Sequence, residues 1–382
     1  MKKNFVILLL LAGIIAGTGC KDKYDPQMET PSTGYLVVEG FINGNGPTEI
    51  TLSRSIKLED STDAQRETGA TVVVEAENGP SFQLDETGFG VYTSGTLPID
   101  ANQLYRLHIY SNGNEYQSAY AKRIVTPPIE ALPYKKEEDG LHIRIQAEDP
   151  TNSTIYYTWT YSDTWEIVSR YWIYLRYLYA PTGAIYAVEE LPPGEAPLVS
   201  ERRCWKTEYS SRILTASTLK LSKDRLDKEI MFIPNRSPKL DQLYSIKINM
   251  HGCSAAGYDF LQRLSKNNEQ LGSIFDAQPS ELNSNLTCVS NPAEKVIGFV
   301  EVADGHEQRI FISKQDIGGW NYNPNCEQLL KPNVPDTLDF YGGNYAPLMF
   351  SDVTKSNVIM GSNNCSYCTL FGTNVMPAFW PQ

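Results

Sequence analysis

From Tyr35 onward, apolar and polar residues alternate in short runs separated by turn residues, the signature of strands with one buried face. Tyr35-Leu36-Val37-Val38-Glu39-Gly40-Phe41-Ile42 reads as a first strand and ends at Asn43-Gly44-Asn45-Gly46-Pro47. Glu49 to Ile56 alternates as a second. Ala70 to Ala76 is a β-branched third, closed by Asn78-Gly79. Ser81 to Leu84, Gly90 to Thr93, Leu104 to Tyr110 and Glu115 to Val125 follow, the last two joined at Asn112-Gly113. Short strands with turn signals about every ten residues predict a β-sandwich of the immunoglobulin or transthyretin type over 34–126. Thr126-Pro127-Pro128 breaks this ladder because proline has no N–H to donate.

Residues 127–382 then read as a larger β-rich domain. Leu141 to Ile145, Ile155 to Tyr161, Val296 to Val302 and Arg309 to Ser313 have strand patterns. Helical spacing of Tyr258, Leu261, Leu264 and Leu271 predicts a helix over Gly257 to Leu271, stopped by Gly272. A shorter helix is expected over Thr218 to Ile230. The fold class is therefore mainly β, a sandwich followed by a β-rich domain with one or two short helices.

The first twenty residues change the picture. Met1-Lys2-Lys3 precedes an apolar run from Phe5 to Ala16, too short for a bilayer core that needs about 20 residues but right for a signal peptide. Gly17-Thr18-Gly19-Cys20 resembles a lipobox, so 1–19 is expected to be cleaved and Cys20 to be diacylated. Gly17 stands where such a motif usually has Leu. Residues 20–33 are polar and contain Pro and Ser, a tether without an apolar period. The expected location is the outer membrane, held by lipid and facing the cell surface.

Six cysteines remain after Cys20: Cys204, Cys253, Cys288, Cys326, Cys365 and Cys368. An exported chain keeps them in an oxidising setting, so all six are disulfide candidates, and their spacing alone leaves the pairing open. Cys365-Ser366-Tyr367-Cys368 lacks the strand–helix surroundings of a redox CxxC and the second ligand pair of a zinc site.

Lys+Arg 33 against Asp+Glu 45 gives a net charge of −12, which argues against nucleic acid as a partner. No phosphate-binding loop, dinucleotide fingerprint, nucleophile elbow or calcium loop is present, and no cofactor or metal is expected. Adjacent acids such as Glu137-Glu138-Asp139 and Glu189-Glu190 read as solvated turns. A His251–Cys253 pair would lose its thiol to a disulfide. The chain reads as a non-enzymatic protein.

The most unusual stretch is 156–179, with ten aromatic residues in 24. Tyr157, Trp159 and Tyr161 share one strand face; Tyr171, Tyr177 and Tyr179 share another, with Trp172 and Tyr174 opposite. One reading makes them core and cross-strand pairs. The other makes one face a binding surface for a glycan, a peptide or a protein.

The order of several short pieces resembles an uncharacterised family, a DUF4249-like domain of unknown function, of Bacteroidetes outer-membrane lipoproteins. The pieces are Tyr35 to Gly40, Thr126-Pro127-Pro128-Ile129, Tyr258-Asp259-Phe260, Gly272 to Asp276 with Gln278-Pro279-Ser280, Val296 to Phe299, and Cys365-x-x-Cys368 with Gly372-Thr373-Asn374, Pro377 and Phe379-Trp380. Ser284-Asn285-Leu286 departs from the Gly-Asn such proteins often carry. Genes of this family often lie beside TonB-dependent receptors, so the resemblance implies an accessory of such an uptake system. It transfers no catalytic residue. A surface hydrolase of glycans or peptides, or an adhesin, is the alternative. Asp60-Ser61-Thr62 and Asp336-Thr337-Leu338 resemble O-glycosylation tripeptides of Bacteroidetes, with Ser61 and Thr337 as acceptors.

Overall fold

A computed structural model describes residues 34–56, 65–192, 194–195, 202–269 and 282–381. The protein is mainly β, as the alternation predicts. The strands Leu36–Asn43, Pro47–Arg54, Thr71–Ala76, Ser81–Gly88, Val91–Thr96, Leu104–Ser111 and Asn114–Ser118 join one curled sheet. Its inward positions are apolar and fully buried: Leu36, Ile50, Leu52, Val72, Val74, Leu107 and Ile109. Asn112 and Gly113 both take positive φ (50° and 78°), as a two-residue hairpin turn requires. At Gly40 a Cβ would lie 2.3 Å from the Glu49 carbonyl, so only glycine lets these two strands approach there.

The sheet is nearly closed by chain that lies far along the sequence. Leu286–Cys288 pairs antiparallel with Asn114–Ser118, and Val296–Gly298 pairs parallel with Leu36–Asn43. Leu286, Cys288, Val296, Val300 and Val302 join the same core. Two edges that 34–126 would leave open are thus both covered, which removes a template for aggregation. Chain from both sides of Thr126 builds this barrel-like body.

A second body packs two sheets over one core. Tyr134–Lys136, Gly140–Glu148 and Arg225–Pro234 form one. Arg203–Tyr209, Leu214–Ser217, Tyr156–Val168, Leu243–Cys253 and Gly305–Ser313 form the other. Ile143, Ile145, Tyr157, Trp159, Trp165, Ile246 and Ile248 fill the space between them. The helix expected over Thr218 to Ile230 is instead a turn followed by the strand Arg225–Pro234. Leu226, Ile230 and Ile233 enter the core, while the charged residues between them stay outside. Pairing with Gly140–Glu148 overrides the helical propensity of the charged run.

The helix expected from Gly257 is observed as Ala255–Glu269. Ser254 caps it: its Oγ accepts from the Gly257 N–H at 3.1 Å and donates to Glu301 at 2.7 Å. Leu271 and the Gly272 stop lie outside the described residues. A third, small core holds Leu175, Ile185, Leu338, Val358 and Met360. They come from the hairpin Leu175–Tyr179 and Ile185–Glu190, the sheet of Gln328–Pro332, Tyr345–Phe350 and Asn357–Ser362, and the helix Pro335–Gly342. Among the described residues no helix is long and apolar enough to cross a membrane.

Candidate functional site: an aromatic groove on the C-terminal unit

The aromatic stretch divides between two bodies. Tyr157, Trp159 and Trp165 are buried in the second core, and Tyr161 packs partly buried against it. Tyr157 and Trp159 are therefore not available to a ligand. They lie on the central strand Tyr156–Val168, covered by the facing sheet, so the inward face reads as core. The strand ends at Val168, and the chain then crosses to the third unit. There Tyr177 packs inward and donates to the Tyr345 carbonyl at 2.7 Å, whereas Tyr179 is 62% exposed. Tyr171 is half-buried and precedes the next strand, so it does not share a strand face with Tyr177 and Tyr179. The Arg202 guanidinium stacks on exposed Trp172 at 3.5 Å.

Tyr174 leads to the site. Its N–H donates to the Leu348 carbonyl at 2.8 Å, and its own carbonyl accepts from Leu191 at 2.9 Å. These two bonds hold the start of the hairpin against strand Tyr345–Phe350. Between them opens a groove of about 840 Å³. Tyr174, Leu175, Glu190 and Leu191 line one wall; Met349, Phe350 and the turn at Asp352, Val353 and Lys355 line the other.

The turn is built by Asp352. Its carboxylate accepts from the hydroxyls of Ser351, Thr354 and Ser356 and from the Ser356 N–H. Those donors hold the Asp352 carboxyl well below the usual carboxylate range. Lys355 takes φ +56° and turns its ammonium back to Glu190 Oε1 at 3.1 Å, 5.1 Å from the centre of the Phe350 ring. The groove thus mixes apolar and polar walls, with an ion pair across it and an ionised Asp352 at its rim. The ionised Asp352 is not set to give a proton. The buried carboxyls whose pKa burial raises, Asp163, Asp224 and Glu301, each have separate partners: Lys239, Thr218 with Tyr157, and Ser254.

The cysteines resolve differently from their sequence grouping. Cys204 bonds Cys368, and Cys326 bonds Cys365. Cys253 and Cys288 are free and buried, which corrects the expectation that both are disulfide candidates. Cys288 lies in the first core, while Cys253 lies opposite Tyr156 in the second body. Burial pushes the Cys253 thiol far up, and desolvation lowers the neighbouring His251 to about 4. His251 stacks on Phe41 at 3.9 Å. A neutral thiol beside a neutral imidazole is no activated pair.

Thr337 lies within the helix Pro335–Gly342, half-buried next to buried Leu338. Cys20 and Ser61 lie outside the described residues. Met349, Phe350, Val353 and Lys355 went unnoticed in the sequence. The apolar run 345–350 before Ser351-Asp352 marks a strand and turn, but nothing local says which chain faces it.

No curated protein matches this chain. Among solved structures, one described as manganese lipoxygenase of Gaeumannomyces graminis with a partial zonadhesin of Komagataella pastoris aligns at 9% identity and TM-score 0.16. It covers 58% of this chain and 90% of that one. The adhesin InvE of Yersinia pseudotuberculosis aligns at 14% identity and TM-score 0.14, covering 56% of this chain and 54% of that one. Scores this low carry no structural inference. A family model does match residues 21–309, most of the chain, and the protein belongs to that family, the domain of unknown function DUF4249.

Proposed function

We propose that the protein is a lipid-anchored, non-enzymatic binding component of the outer membrane that holds a TonB-dependent receptor through its C-terminal unit. One observation carries this reading. The groove is lined by large apolar side chains that are exposed to solvent. Tyr174, Met349 and Val353 are among them, the last 99% exposed. Exposed apolar side chains gathered at one groove are typical of an interaction site. The tether and Cys20 supply the anchor, and the ionised Asp352 and paired Glu190 suit recognition better than acid–base chemistry.

The test is affinity capture from detergent-solubilised outer membranes with wild type, Cys20→Ala and Met349→Glu. Wild type is expected to retain a receptor, Cys20→Ala to lose envelope retention, and Met349→Glu to remain anchored but lose the receptor. Wild type that is anchored and retains no receptor contradicts the proposal.

A further inference from the structure

We propose that Lys239 and Asp163 condense into an intramolecular amide, a covalent clamp inside the second body, with Glu208 as the catalytic base. Strand pairing sets the two acids side by side: Asp163 on Tyr156–Val168 stands directly opposite Glu208 on Arg203–Tyr209. Facing carboxylates repel, and Lys239 stands between them. Its Nζ lies 2.6 Å from Asp163 Oδ2 and 2.9 Å from Glu208 Oε2. The short 3-10 helix Pro238–Leu240 holds Lys239 there. The Lys239 N–H donates to the Ser237 hydroxyl at 3.3 Å, the Ser237 carbonyl accepts from Trp320 Nε1 at 2.7 Å, and Leu240 is fully buried. The centre of the Trp165 ring lies 4.6 Å from Nζ.

Burial favours condensation over a lasting ion pair. Asp163 is fully buried, and its Oδ1, like the Tyr244 hydroxyl beside the same carboxyl, has no hydrogen-bond partner among the described residues. Desolvation penalises both charges of a buried pair, and a neutral amide removes that penalty. Burial accordingly raises the Asp163 carboxyl. It also lowers the Lys239 ammonium, but the two carboxylates outweigh it and raise that group overall. Burial raises Glu208 too, yet its bonds to Lys239 and Lys206 bring it below its ordinary value, which leaves it ionised as a base needs. The step balances without an added reagent. Asp163 Oδ2 takes one proton from the ammonium. The freed amine attacks Cγ, and the Nζ–Cγ bond forms. Glu208 takes a second proton from the nitrogen and passes it to the hydroxyl at Oδ2. The Cγ–Oδ2 bond breaks, water leaves past the Glu208 side chain, which is 44% exposed, and the amide keeps one N–H.

The clamp joins residues 76 positions apart and lies on a different body from the groove, so it stands or falls separately from the receptor proposal. The test is mass spectrometry of the full mature protein, isolated in detergent, then reduced, unfolded and digested with trypsin. The peptides bearing Asp163 and Lys239 are expected to emerge as one branched species, lighter by one water than their sum, with no cut after Lys239. Lys239→Arg keeps the cation and should give two separate peptides of full mass, so water lost within one peptide is not mistaken for the link. Glu208→Gln should leave the pair mostly unlinked in freshly isolated protein, the amide forming at least about 100-fold more slowly than in wild type. Wild type cut after Lys239, a link from Lys239 to Glu208 instead, or undiminished linking in Glu208→Gln overturns the proposal.

Discussion

Cys365 and Cys368 are one helical turn apart in sequence yet are bonded to different segments. Cys365 reaches Cys326, and Cys368 reaches Cys204 on the central sheet of the second body. The first bond closes the C-terminal unit on itself. The second spans 164 residues and ties that unit to the second body, where Trp205 also exchanges two backbone hydrogen bonds with Thr373. Trp380 completes the joint by packing edge-on against Trp205 and Phe311.

Replacing Cys204 and Cys368 together by serine is therefore expected to cost about 2–4 kcal/mol in urea unfolding. Peptide mapping without reductant should find these two bonds and no third. Cys253 and Cys288 should react with iodoacetamide only after unfolding.

The aromatic stretch separates core from surface, and stability measures the separation. Trp159→Ala removes a buried ring and should cost about 3–5 kcal/mol. Tyr179→Ala, on an exposed ring, should stay within about 0.5 kcal/mol of wild type. Equal costs would mean the strand assignment of one of them is wrong.

Strand positions were legible where neighbours in sequence are neighbours in the sheet. Leu36–Asn43, Thr71–Ala76 and Leu104–Ser111 follow directly from alternation and Asn-Gly turns. What alternation cannot convey is partnership at long range. The return of Leu286–Cys288 and Val296–Gly298 to the first sheet has no local signature, and neither has the meeting of Tyr174 with Met349. Three alternating aromatics, Tyr157, Trp159 and Tyr161, look the same whether a second sheet or a ligand covers them. Only the strand Gly140–Glu148 and its core residues decide it.

The Arg54–Glu67 pair stabilises the first body in a pH-dependent way. Arg54 Nε and Nη2 donate to the two Glu67 oxygens at 2.9 and 2.6 Å, and Nη1 also reaches Glu294 at 3.2 Å. The hydrogen bonds from Arg54, with help from Ser111 and Asn112, lower the Glu67 carboxyl against its burial. A lowered acid contributes stability that is complete above its unfolded pKa of about 4.3 and is lost as pH falls through the folded value. Glu67→Gln should cost about 3 kcal/mol at pH 7 and much less at pH 3, read as urea midpoints.

His251 works in the same direction through a base. Its folded pKa of about 4 lies below the unfolded value of about 6.5. The unfolded chain therefore takes up a proton first, and stability falls as pH drops from about 6.5 to 4, by up to about 3 kcal/mol. His251→Phe keeps a ring against Phe41 and should flatten that part of the profile.

The most direct test of the receptor-binding account is site-specific photo-crosslinking in intact cells. A photoreactive residue at Val353, beside the groove, should give an adduct with a TonB-dependent receptor. The same residue at Phe89, 84% exposed on the first body, should not. Receptor adducts from Phe89 and none from Val353 would contradict the account.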